Sequence, residues 1–214
     1  MSQTASAVYG MAQQVFRKYT SNFHIFGISM GGMIAQTILS EKDTSNVLSV
    51  ILGCTAPGIQ SIPPPLESLI AMTQPDPSWS KEKKARSALE VCYTPSWIQQ
   101  NELLFDQFVK KSLLGNRPLK SLMAQSQAIG DYYSVEPKRI NKPTLIVHGT
   151  EDYVLPYENG KIIHRQLLEV PGNTVEFHTM PNIGHIFWNM DMDDTVKTVL
   201  AFTEKHEKLQ ASLQ

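Results

Sequence analysis

Apolar positions along this chain follow two rhythms. Three short runs are almost continuously apolar and rich in Phe, Ile, Val and Leu: Phe23 to Ile28, Val47 to Gly53, and Lys142 to Gly149. They read as buried strands, the second parallel in character. A fourth run, Thr174 to Met180, alternates apolar with polar residues, as a half-exposed edge strand does. Between the runs the spacing is helical. Residues 4–19 place Val8, Met11, Ala12, Val15 and Phe16 on one face, with Thr4 a candidate cap. Residues 33–39 continue the pattern. Residues 156–168 set Ile162, Ile163, Leu167 and Leu168 inward, and residues 193–209 do the same with Val196, Val199, Leu200 and Phe202. From Ile59 to about Arg139 no strand is predicted. Helices are expected there near 65–73, 80–92, 96–114 and 117–130, punctuated by Pro75, Pro77, Pro95 and Pro118.

Strands alternating with helices predict an α/β fold: a parallel sheet of about four strands, flanked by helices. The expected core comprises residues 1–58 and 140–214, with 59–139 inserted as a helical cap over the sheet's carboxyl edge. Met72, Trp79, Trp97, Phe105, Phe108, Met123, Tyr132 and Tyr133 are the cap's large apolar and aromatic residues. They either line an apolar pocket or form the cap's own core, and the second reading is the commoner for any one of them.

Composition narrows the picture. A chain of 214 residues, 42% hydrophobic, can bury a core of its own. The 19 basic and 20 acidic residues nearly balance and form no basic run, so no nucleic-acid partner is expected. The two cysteines, Cys54 and Cys92, read as buried thiols compatible with a reducing compartment. No run reaches membrane-spanning length and the first seven residues carry no targeting pattern, so a cytoplasmic location is expected. No His, Cys or Asp cluster has metal-ligand spacing, and neither a metal nor a cofactor is expected.

Chemistry concentrates where the strands end. Phe23 to Ile28 runs straight into Gly27-Ile28-Ser29-Met30-Gly31 and then into the helix. Such a strand–turn–helix makes Gly-x-Ser-x-Gly a nucleophile elbow, lifting the Ser29 hydroxyl out of the backbone. Gly27 and Gly31 are expected to be small because strand and helix pass closely, and the Met30 N–H opens the helix as an oxyanion donor. The strand at 142–149 ends in Glu151-Asp152, and the strand at 174–180 leads to Gly184-His185. Among the histidines, His148 sits in a strand end, His164 in a helix and His178 in an edge strand. His24 and His206 are also present, but only His185 follows a glycine that permits a tight loop.

The order Ser…Asp…His, with the elbow, resembles the α/β-hydrolase family. Residues 26–32 resemble its elbow, 145–152 with Pro156 its acid loop, and Gly184-His185 its histidine loop. The resemblance implies a serine hydrolase with the triad Ser29, Asp152 and His185, acting on a small ester-like substrate. It also favours Asp152 over Glu151 as the acid. Epoxide hydrolase and dehalogenase chemistry is disfavoured, since those enzymes carry an aspartate at the elbow. Members of the family normally place about four strands before the elbow strand, one ending in a His-Gly loop that gives a second oxyanion donor. Here a single helix precedes Phe23, so the elbow strand is expected at the sheet's edge, open to self-association or a partner. The oxyanion hole is expected to be half built. The chain therefore resembles the carboxyl two-thirds of a capped serine hydrolase.

Overall fold

The computed structural model describes residues 1–16, 22–115, 119–132 and 140–212, apart from the side chains of Phe16, Leu119 and Leu122. Helix α1 (Ser2–Phe16) precedes strand β1 (Phe23–Ile28), helix α2 (Met30–Glu41) and strand β2 (Val47–Gly53). Five helices follow: α3 (Leu66–Thr73), α4 (Lys81–Glu90), α5 (Pro95–Gln100), α6 (Glu102–Leu114) and α7 (Leu119–Tyr132). The chain then returns through β3 (Thr144–Gly149), α8 (Glu158–Leu168), β4 (Val175–Met180), α9 (Phe187–Met190) and α10 (Met192–Ala211). The four strands form one parallel sheet in the order β1-β2-β3-β4. All four carboxyl ends therefore meet on one rim, with β1 and β4 at the edges.

The hydrophobic rhythm explains this layout. β2 and β3 are apolar on both faces because helices cover both, and Val50, Ile51, Leu52, Ile146 and Val147 are at most 1% exposed. α2 and α8 pack on one face through Ile38, Ile163 and Leu167, while Phe202 of α10 packs on the other. The alternating β4 is half-buried, as its pattern predicts. No described helix is long and apolar enough to cross a membrane.

Several expectations change in detail. On α1 the buried residues are Ala5 and Tyr9, the tyrosine hydroxyl donating to the Asp43 carbonyl at 2.6 Å. Val8, Met11 and Val15, predicted to face inward, are exposed because α1 turns its other side to α2. Residues 17–19 of the expected helix lie outside the described residues. Leu168, Val196 and Leu200 are likewise exposed rather than inward. A helical stripe shows which residues share a face, but not how wide a neighbour covers it. The helix expected over 96–114 is two helices. Asn101 closes α5, its amide side chain donating to the Trp97 carbonyl at 2.9 Å, and then caps α6. The short α9 has no counterpart in the sequence reading.

Among the described residues, the stretch between β2 and β3 contains helices and loops only. Phe105 and Trp97 pack with Tyr93, Phe108 and Val109 into a cluster of their own. Tyr132 instead packs on Met33 of α2 and Leu155 of the loop after β3. Met123 is exposed, and Tyr133 lies outside the described residues.

Candidate active site

Ser29 is the first residue after β1 and stands at φ 54°, ψ −123°, where a side chain other than glycine's is strained. Hydrogen bonds hold it there. Its N–H donates to the Gly53 carbonyl at 2.8 Å, and its own carbonyl accepts from the Thr55 hydroxyl at 2.7 Å and the Gly32 N–H at 2.9 Å. Crowding explains the glycines, though not both as expected. A Cβ on Gly27 would run into the Gly31 carbonyl and come within 2.9 Å of the Gly32 Cα. A Cβ on Gly31 would meet open space, so Gly31 contributes its backbone rather than its lack of a side chain. The second close approach is at Gly32, where a Cβ would lie 2.6 Å from the Thr55 side chain. Met30 opens α2, which puts its N–H at the positive end of that helix.

Asp152 sits in the loop after β3 and is 4% exposed. Its Oδ1 accepts from the N–H groups of Val154 and Leu155, both at 2.8 Å. Its Oδ2 lies 2.8 Å from His185 Nδ1 and 3.2 Å from His148 Nε2. His148 Nε2 is also 2.8 Å from the Leu155 carbonyl. A carbonyl can only accept, so Nε2 carries the proton and His148 donates toward both oxygens. Burial alone would push the Asp152 carboxyl up, but the two imidazoles hold it well below the usual carboxylate range. Asp152 is thus a buried anion with its orientation fixed from four sides.

His185 is 7% exposed, in the loop after β4. The neighbouring helical segment braces that loop. The Ile186 N–H donates to the Cys92 carbonyl at 3.2 Å and the Asn189 amide to the Tyr93 hydroxyl at 3.0 Å. A Cβ on Gly184 would lie 2.8 Å from the same Cys92 carbonyl, so glycine is needed for close approach. The loop carries His185 back over the sheet. Donor atoms of Cys54, Asp152 and His185 all lie within 4.8 Å of one another, although Cys54 follows β2 and His185 follows β4.

One comparison decides the family. A family model described as serine aminopeptidase, S33, matches residues 4–191. The chain belongs to this α/β-hydrolase family. Among curated relatives, this α/β-hydrolase is 28% identical over 177 residues to a Mycoplasma pneumoniae protein bearing the provisional name esterase/lipase 1, covering 79% of this chain and 64% of that one. It is 25% identical over 193 residues to the proline iminopeptidase PfmaB of Pestalotiopsis fici, covering 85% and 66%. The chain thus spans about two thirds of the length of both. Among solved structures, the esterase EaEST of Exiguobacterium antarcticum superposes with a TM-score of 0.69 at 21% identity, covering 94% of this chain and 72% of that one. The meta-cleavage product hydrolase CumD of Pseudomonas fluorescens superposes with a TM-score of 0.68 at 19% identity, covering 86% and 65%. At such identities the likeness is one of fold.

Sequence reasoning missed four contributors to the α/β-hydrolase's rim. Thr55 and Gly32 hold the elbow, and His148 is a second donor to Asp152. His148 was legible as structural from its place in β3, but its contact with a residue four positions on depends on how the loop folds back. The fourth is Cys54. Its spacing from Asp152 and His185 suggested no cluster, and only the parallel register brings the three together.

Proposed function

We propose that this chain works as a serine hydrolase, cleaving a carboxylic ester or related acyl bond of a small apolar substrate. The observation that carries the reading is the buried, 2.8 Å pair of Asp152 and His185 on the rim that also bears the strained Ser29. The Ser29 N–H bonds to Gly53, the residue before Cys54, and Cys54 Sγ lies within 4.8 Å of the His185 donor nitrogen. The imidazole and the Ser29 backbone thus both lie near the end of β2.

The steps follow from proton accounting. A serine hydroxyl is a weak nucleophile at neutral pH, so His185 takes its proton as Oγ attacks the substrate carbonyl. Asp152 keeps the imidazole's proton on Nδ1, leaving Nε2 free to accept, and stabilises the imidazolium that forms. The Met30 N–H donates to the developing oxyanion. His185 then returns the proton to the leaving oxygen, and water releases the acyl group by the same route. Residues 59–139 act as a cap. Cys92 and Tyr93 touch the histidine loop, and Tyr132 touches the elbow helix and the acid loop, so the cap controls access to all three.

A fluorophosphonate probe tests the reading. The folded protein should be labelled at Ser29, and Ser29→Ala should remove the label. Well-folded protein that takes no label would refute it.

A second reading rests on the β1 edge. Among the described residues β1 pairs only with β2, and Phe26 on it is 44% exposed. Phe26 borders an apolar groove with Ile28, Trp188, Met192, Val196 and Leu200. An edge of this kind invites strand pairing. A second copy of the chain presents the same edge, so two can pair about a two-fold axis.

A further inference from the structure

We propose that Cys54, Asp152 and His185 form a binding site for a thiophilic divalent cation of the zinc type, and that the bound cation switches the hydrolytic relay off. The inhibitory half rests on the serine hydrolase reading, whereas the binding half does not.

The donor set is the starting point. It offers a thiol sulfur, a carboxylate oxygen and an imidazole nitrogen from three separate strand ends, all buried and all within 4.8 Å of one another. Zinc bonds these atoms at roughly 2.0–2.3 Å, which sets donors about 3.5 Å apart around a tetrahedral ion. Small side-chain rotations therefore suffice to close the site. Sulfur beside nitrogen selects a soft or borderline ion over magnesium or calcium. The fourth position falls to water, as in zinc sites with three protein ligands.

Charge balance favours the same ion. Binding transfers the Cys54 thiol proton to solvent, leaving one thiolate and one carboxylate against two positive charges. The imidazole stays neutral. A buried cluster of zero net charge avoids the cost that a lone dication would meet in the interior. His185, whose side chain is 8% exposed, is the point of entry from the rim.

Occupancy and catalysis exclude each other by the valence of the ring. A neutral imidazole has one proton and one free lone pair. If the cation takes Nδ1, the proton moves to Nε2, which can no longer accept from Ser29. If the cation takes Nε2, the accepting lone pair is spent. Either way no base remains, and the Asp152 carboxylate is drawn to the cation.

Cobalt(II) serves as the spectroscopic probe. Adding it to the full chain should produce the near-ultraviolet charge-transfer absorption of a thiolate-bound ion. The band should vanish in Cys54→Ala and persist in Cys92→Ala. In the unsubstituted protein, zinc should also protect Cys54 from alkylation, read by peptide mass spectrometry, which needs no variant to fold. Zinc should block fluorophosphonate labelling of Ser29 and a chelator should restore it. Losing Cys54 should raise the concentration needed for inhibition by more than about tenfold. An absent cobalt band, or a band that persists without Cys54, would overturn the site. A Cys54-dependent band with undiminished labelling would overturn the switch. If Ser29 takes no label even without metal, the hydrolase reading fails, while the band and the alkylation still decide the site.

Discussion

Replacing Asp152 by Asn isolates the carboxylate with least change in shape. Four donors now converge on Asp152: two backbone N–H groups on Oδ1, and two imidazoles on Oδ2. An amide has one oxygen to offer them. The oxygen should stay with Val154 and Leu155, since those bonds shape the loop, and the NH2 would then face both imidazoles. His148 keeps the Leu155 carbonyl as acceptor. His185 has no such reserve at Nδ1 among the described contacts, so its proton moves to Nε2 and Nδ1 accepts from the amide. That tautomer cannot take the Ser29 proton. The expected loss in kcat is about 10⁴-fold, the scale seen when a triad's histidine is left in the wrong tautomer. Stability should fall by about 1.5–3 kcal/mol, the worth of one charge-assisted hydrogen bond, because the NH2 cannot accept from His148 and the bond to His185 survives only between neutral groups. Hydrolysis of a short-chain nitrophenyl ester, beside denaturant unfolding, reads both. A variant that keeps its rate within tenfold, while Ser29→Ala abolishes the reaction, would refute the assignment of Asp152.

Gly27→Ala should cost about 3 kcal/mol or more, the upper end of overpacking, because its Cβ meets backbone that cannot rotate away. Gly31→Ala should be neutral or gain up to about 1 kcal/mol from helix propensity, and equal damage at both sites in thermal melts would contradict the elbow packing. Asp152 also predicts a pH dependence. Its folded pKa is depressed, so its contribution to stability is complete above the unfolded value near about 4 and is lost as pH falls further through the folded one. The stability gap between the native chain and Asp152→Asn should therefore narrow below about pH 4, and a gap that widens there would reverse the sign of the argument. At the open edge, Phe26→Lys should shift concentrated protein toward monomer in light scattering; unchanged mass would remove β1 as the association surface.

Much of this architecture could be read from the residues because local and global preferences agree there. β2 and β3 are almost continuously apolar, so strand and sheet follow from the pattern. The elbow was legible for the same reason: Gly27-Ile28-Ser29 must leave a strand and enter a helix within a few residues. Packing outside the sheet was less legible. The stripes on α1 and α10 point toward neighbours of unknown width, and Val8, Val196 and Leu200 fall beyond what their neighbours cover. Contacts between strand ends were not legible at all. Thr55 on Ser29 and His148 on Asp152 depend on how adjacent loops fold back at a given register, and sequence spacing carries no record of that.

Cys54 sits where these contacts meet. It follows β2, the strand between those that lead to Ser29 and Asp152, and its sulfur lies within 4.8 Å of the Asp152 and His185 donor atoms. Burial, then the neighbouring Asp152 carboxylate, pushes its thiol pKa well up. Cys92 is pushed up to about 12 by burial first and Asp152 second. Both are neutral thiols at ordinary pH, inert as nucleophiles although one adjoins the histidine that would activate it. Burial, helped by the same carboxylate that hydrogen-bonds His185, thus keeps the neighbouring sulfur protonated. Only an ion able to strip the thiol proton changes that state, which is why a thiophilic cation, rather than alkaline pH, is the agent to which this rim should respond.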